Sequence, residues 1–166
     1  EVFDASRKEL FANCWHISNH ESAALWDLYS GQSGIAIKST VGMLKKSIID
    51  PHDTYIGLVR YYDFETIDLQ PGILPNTLEV GFIKRKSFEH EKELRIMIQS
   101  YDTDSDLIVH LDHALIEIDL SNLIDSIYIS PTAPDWLKGN IETLLKKFGL
   151  PKVQVTKSNL YDERVY

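Results

Sequence analysis

The stretch Phe88-Glu89-His90-Glu91-Lys92-Glu93-Leu94-Arg95-Ile96-Met97-Ile98 decides how this chain is read. Within it Glu91, Glu93 and Arg95 form a polar series, and Leu94, Ile96 and Ile98 alternate with it. Alternation of this kind marks a strand with one face in a core. The other face then carries two carboxylates and a guanidinium, each about 7 Å from the next by strand rise. Two acids on one face can polarise a hydroxyl, stabilise a cation or act as a general base. Arg95 beside them favours the ionised forms. The bland reading is a structural ion pair on an exposed sheet face. The depletion of glutamate in strands favours the functional one.

Upstream, residues 11–17 read as a strand, and Ser18-Asn19-His20-Glu21 matches a capping box opening a helix. Ser22, Leu25, Trp26 and Tyr29 then share one helical face, and Gly31 ends the helix. A strand follows at Ile35-Ala36-Ile37-Lys38. Ser39 or Thr40 caps a second helix with Val41, Leu44 and Ile48 inward, closed by Pro51. Residues 54–62 are rich in β-formers. Residues 63–76 read as a long loop, and a short helix is expected around 78–83.

Downstream, residues 101–106 are an acidic turn, and 107–111 and 114–120 read as strands about a bend at Asp112-His113. Residues 123–130 are a further strand. Pro134 opens a last helix in which Leu137, Ile141, Leu144, Leu145 and Phe148 recur with helical spacing, stopped by Gly149 and Pro151. Residues 152–156 form a terminal strand. The expectation is one α+β domain over residues 1–166. Its central mixed or antiparallel sheet holds about six to eight strands, flanked by three or four helices.

The chain has 166 residues, 43% hydrophobic, with 17 Lys and Arg against 25 Asp and Glu, a formal charge of −8. That length and composition suit one folded domain with a real core. The acidic balance argues against non-specific nucleic-acid binding. The short basic run Lys84-Arg85-Lys86 reads as a solvated turn. A single cysteine, Cys14, rules out an intrachain disulfide and points to a reducing, cytoplasmic setting. No apolar run approaches a membrane span. The start, Glu1-Val2-Phe3-Asp4, lacks Met and any signal-peptide pattern, and reads as the beginning of a fragment.

Among the remaining candidates, His16 shares its strand face with the small residues Ala12 and Cys14, which leaves room for a ligand. Cys14 lacks a protease-like His or Asn nearby and reads as a buried thiol. Trp26 has core spacing, whereas Tyr29 ends its helix beside a Gly-containing turn and can turn its hydroxyl outward. Ser39 reads most simply as a cap, and Glu21 as the return arm of the capping box. His110, Asp112 and His113 match no strong zinc spacing. There is no P-loop, dinucleotide glycine fingerprint or nucleophile elbow.

The order of signals resembles a bacterial family catalogued as domain of unknown function 2971. The residues that carry it are Cys14-Trp15-His16, Glu21-Ser22, Trp26, Tyr29 and Gly34-Ile35-Ala36-Ile37. Further along come Phe82, Lys84, Phe88 and Glu91-x-Glu93-x-Arg95, then Ile127-Tyr128-Ile129-Ser130-Pro131 and Lys157-Ser158-Asn159-Leu160. The resemblance covers nearly the whole chain and implies an upstream segment in the family. It implies no activity. In arrangement the chain is also similar to ADP-ribosyltransferases. These place a His or Arg on a first core strand, a Ser-Thr or Tyr on the second, and a Glu, often in Glu-x-Glu, on a later one. Here His16, then Tyr29 or Ser39-Thr40, then Glu91-x-Glu93 follow that order.

The second resemblance implies an NAD-consuming transferase or glycohydrolase, such as a toxin or defence effector, with NAD as substrate. His16 would hold the ribose, Tyr29 would stack on nicotinamide, and Glu91 or Glu93 would stabilise the oxocarbenium ion. Trp26 and Ser39 complete the candidate ligand-binding set, and Arg95 joins the acids as the third candidate catalytic residue. The competing expectation is a non-catalytic module that binds a small ligand or a protein partner through the Glu91, Glu93, Arg95 stripe. A metal-dependent nuclease ranks third, because no lysine completes the stripe and Lys92 points to the opposite face of a regular strand.

Overall fold

The computed structural model describes residues 10–65, 77–99, 108–110 and 113–162. The first half runs β1 (Leu10–His16), α1 (Ala23–Tyr29), β2 (Ile35–Lys38), α2 (Val41–Ser47), β3 (Thr54–Leu58) and β4 (Arg60–Tyr62). Next come α3 (Thr77–Val80), β5 (Ile83–Arg85), a 3-10 helix (Lys86–Glu91) and β6 (Glu93–Gln99). The remainder is β7 (Ile108–His110), β8 (His113–Leu115), α4 (Leu120–Leu123), β9 (Ser126–Ile129), α5 (Trp136–Lys147) and β10 (Gln154–Lys157). The chain divides into two compact units, Glu1–Asn19 with Asp50–Ile116 and His20–Ile49 with Glu117–Tyr166. The α+β class is as expected. In place of one sheet of six to eight strands, the described residues form two three-stranded sheets and two two-stranded pairs.

In the first unit β6 is the central strand, antiparallel to β1 on one side and β3 on the other. Leu94, Ile96 and Ile98 are buried, as their alternation predicts. The opposite face differs from expectation. Glu93 and Met97 are buried and Arg95 is half-buried, so the polar stripe does not face solvent. Phe82 lies over this face, close enough that a Cβ on Gly57 would sit 2.9 Å from its ring. The expected strand over 54–62 breaks at Val59. The Val59 N–H still donates to the Glu93 carbonyl at 2.9 Å, but the Arg60 N–H donates to Phe82 at 2.8 Å. At this point the chain leaves β6 and pairs with β5. The helix expected over 78–83 ends at Val80, and Ile83 enters β5.

A second correction concerns the start of the striped strand. Residues 86–91 form the 3-10 helix, and Lys92 takes a left-handed conformation at φ 41°. Glu91 therefore belongs to the helix end, and the strand begins at Glu93. Within the expected strands over 107–111 and 114–120, residues 108–110 and 113–115 pair antiparallel as β7 and β8, and residues 107, 111 and 112 lie outside the described residues. The acidic turn at 101–106 and positions 66–76 of the expected long loop lie outside the described residues.

In the second unit β9 is central, parallel to β10 and antiparallel to β2, and α5 supplies the crossover that a parallel pair requires. Ile127, Ile129 and Val155 are buried in it. Helix α1 is capped by the Ser22 hydroxyl, which accepts from the Leu25 N–H at 3.4 Å. The cap of this helix is thus Ser22, four residues beyond the Ser18 start expected from the capping-box pattern. Thr40, not Ser39, caps α2, accepting from Met43 at 3.2 Å. Leu44 is buried but Val41 is exposed. The strand expected from residue 123 is preceded by α4, which Asp119 nucleates by accepting from the Ser121 and Asn122 N–H groups. In α5, Leu137 and Leu145 are buried while Leu144 and Phe148 are exposed, so the inward stripe is narrower than helical spacing implied. No helix among the described residues is long and apolar enough to cross a membrane.

Candidate functional site

The first unit gathers a cluster of charged groups where β1 ends and β6 begins. In the antiparallel register His16 stands opposite Glu93 and Cys14 opposite Arg95. Directly opposed residues point to the same side of a sheet, so His16, Cys14, Glu93 and Arg95 share one face. The Arg95 Nε donates to Glu93 Oε2 at 2.7 Å, and its Nη1 donates to the Gly81 carbonyl at 2.5 Å. The Lys84 Nζ, carried by β5, donates to Glu93 Oε1 at 2.6 Å and to Glu91 Oε2 at 2.5 Å. One ammonium thus joins the two acids, and it also lies 4.7 Å from the Phe88 ring centroid. Tyr61, the register partner of Lys84, accepts the Glu93 N–H on its hydroxyl at 2.8 Å.

Electrostatics follow from this arrangement. Glu93 is 5% exposed. Burial by itself would raise its pKa, but the bonds from Arg95 and Lys84 outweigh it and bring the value to about 2. Burial likewise opposes the charge on Lys84, and its bonds to Glu91 and Glu93 more than compensate, so its pKa is raised. Burial raises the Tyr61 hydroxyl. The thiol of Cys14 is pushed up by burial and by the Glu93 carboxylate, with Arg95 opposing. As a residue Cys14 is exposed, which corrects the expectation of a buried thiol.

A carboxylate depressed from 4.5 to about 2 stabilises the fold fully above the upper value, and that stability drains away as the pH falls towards the lower one. Acid unfolding followed by circular dichroism is therefore expected to steepen in this window. Glu93→Gln is expected to flatten that part of the curve. An identical acid limb in wild type and variant would show that Glu93 is not the group responsible.

The His16 Nδ1 lies 2.6 Å from the Glu91 carbonyl. A carbonyl only accepts, so Nδ1 carries the proton, and the tautomer this selects has Nε2 as its acceptor. His16, Glu91, Glu93 and Arg95 are thus brought together, although Glu91 arrives from a helix end. The chain matches no protein-family model, no curated protein and no solved structure.

The other candidates belong to the second unit. Trp26 is buried, and its indole N–H donates to Glu21 Oε2 at 2.9 Å. Glu21 is an indole acceptor rather than an arm of a capping box. The Ser39 hydroxyl donates to the Leu123 carbonyl at 2.6 Å, a structural tie. Tyr29 is 71% exposed at the end of α1.

Two residues of the cluster were not singled out as site residues from sequence. Lys84 read as part of a solvated basic turn, and Tyr61 as one aromatic in a β-rich run. The expectation that no lysine joins the stripe is therefore corrected. The one available signal was the two-residue period Phe82, Lys84, which marks a half-buried strand. Among the described residues, no three His, Cys, Asp or Glu side chains come together as metal ligands would.

Proposed function

We propose that this chain is an NAD-consuming enzyme of ADP-ribosyltransferase type, acting as a transferase or glycohydrolase, with Glu91 as its acting carboxylate. The observation that supports the reading is the placement of His16 on the face of the acid pair, with its Nδ1 tied to the Glu91 carbonyl. On this reading the His16 Nε2 accepts a ribose hydroxyl. The C1′–N bond of NAD breaks with its electron pair passing to the nicotinamide ring nitrogen. The Glu91 carboxylate stabilises the oxocarbenium ion left behind. Water, or an acceptor side chain on a target, adds to C1′ and gives up its proton to solvent. Glu93 is the fixed member of the pair, held on both oxygens by cations.

The second reading is a non-catalytic ligand- or protein-binding module. It is favoured by the matching of Glu93 by Lys84 and Arg95 within the chain, which makes the cluster a closed lock. Release of nicotinamide from NAD by the purified protein separates the two. Turnover in the wild type, absent with boiled protein, supports the enzyme. No turnover, together with no NAD-induced shift of the His16 imidazole resonances, transfers the proposal to the binding module.

A further inference from the structure

We propose that Lys84 is the positioning residue of this site: its one ammonium ties the Glu91 carboxylate to that of Glu93 and so fixes where the acting carboxylate points. The inference rests on the reading of Glu91 above, but the clamp itself is open to a separate test. Three observations carry it. The Nζ lies 2.5 Å from Glu91 Oε2 and 2.6 Å from Glu93 Oε1, so the two acids share a single cation. Glu93 has a second cation in Arg95 and an anchored backbone through Tyr61, so it is the fixed end of the bridge. Glu91 closes a six-residue 3-10 helix and is followed by a left-handed Lys92, so its side chain leaves from a turn and not from the β6 strand.

Lys84 in turn is aimed by its strand partner Tyr61 and by the Phe88 ring beneath its ammonium. The groups facing the acid pair are Lys84 from β5, Tyr61 from β4, Arg95 along β6, and Cys14 and His16 from β1. Of these only Lys84 touches both carboxylates. Without it, two neighbouring acids with one remaining guanidinium tend to share a proton, as like charges at close range do.

The test uses Lys84→Gln, which keeps a donor without charge, and Lys84→Arg, which restores the charge. In Lys84→Gln the acid limb of the nicotinamide-release profile is expected to move up by about one pH unit. Lys84→Arg is expected to return it towards wild type. A merely structural role for Lys84 lowers turnover evenly across pH and leaves the limb in place. That result overturns the proposal.

The carboxyl ¹³C resonance of Glu93 gives a readout independent of NAD. In folded Lys84→Gln it is expected to titrate at higher pH than in wild type, where the Lys84 bond helps hold it low. If it does so while wild-type protein releases no nicotinamide, the clamp stands and the NAD reading falls. Unchanged carboxyl titration removes the clamp whatever the activity. Should the Gln variant not fold, the wild-type Lys84 ¹⁵Nζ resonance decides. A clamped ammonium exchanges slowly and moves as the acids titrate, and free-lysine behaviour overturns the proposal.

Discussion

Glu91→Gln is expected to lose nicotinamide release by roughly 10²–10³-fold while the protein stays folded, whereas Glu93→Gln is expected to lose stability first. The division follows from how the two carboxylates are held. The Glu91 side chain is 12% exposed and lies at a helix end. Although this pair is part-buried, losing it strands no cation. Its removal leaves Lys84 bonded to Glu93. The Glu93 carboxylate is buried between two cations whose side chains are themselves only 25% and 16% exposed. Neutralising it takes from Arg95 its carboxylate partner and leaves Lys84 with Glu91 alone, a change worth about 3 kcal/mol when a buried partner is lost. Urea unfolding and nicotinamide release, measured on both variants, read the two effects separately. A Glu91→Gln protein with wild-type turnover, beside a folded but inactive Glu93→Gln, would reverse the roles assigned here.

Gly34→Ala is expected to destabilise the second unit by about 3 kcal/mol. The reason is a close approach just before β2. A Cβ at residue 34 would lie 2.5 Å from the Ser30 Cα and 2.7 Å from the Ser30 carbonyl oxygen, in addition to overlapping the Ser30 Cβ. Backbone atoms cannot rotate out of the way as a side-chain tip can. Ser30 is itself fixed, its N–H and hydroxyl both donating to the Trp26 carbonyl. The Gly34 carbonyl is committed as well, accepting from Ser130 at 3.0 Å beyond the end of β9. Relief therefore requires moving either the end of α1 or the register of β2. Gly31→Ala is a useful contrast: its φ is +52° with nothing within 4 Å, so its cost is backbone strain alone, about 1 kcal/mol. Equal midpoints in urea for Gly34→Ala and wild type would show that the turn is softer than its packing suggests.

Local signals in the sequence located elements well where a single physical cause acts. The strand at Ile35–Lys38, the burial of Leu94, Ile96 and Ile98, the core position of Trp26 and the end of the last helix near Gly149 were all readable. Pairing was not. Alternation says that a strand exists, but not which strand lies beside it, and nothing local to Val59 announces that the chain changes partners there. The Glu-x-Glu spacing misled for a related reason. A period of two continues on paper through Lys92, while the left-handed turn at that residue rotates Glu91 off the strand. The site's central cation was hidden because its side chain reaches the acids from a three-residue strand within a basic run. Helical spacing in α5 showed which residues share a face, but not how much of that face is covered, so Leu144 and Phe148 were misjudged.

The interleaved order of the two units has a consequence for synthesis. Strand β2 emerges from the ribosome long before β9, its neighbour in the sheet, has been made. Until then Ile35, Ala36 and Ile37 travel as an unpaired apolar edge, the kind of segment that seeks strands on other chains. The first unit has its last residue at Ile116, while the second still lacks β9 and β10. Once Ile116 has left the ribosome, every group of the charged cluster is available to close, while Ile35, Ala36 and Ile37 still wait for β9.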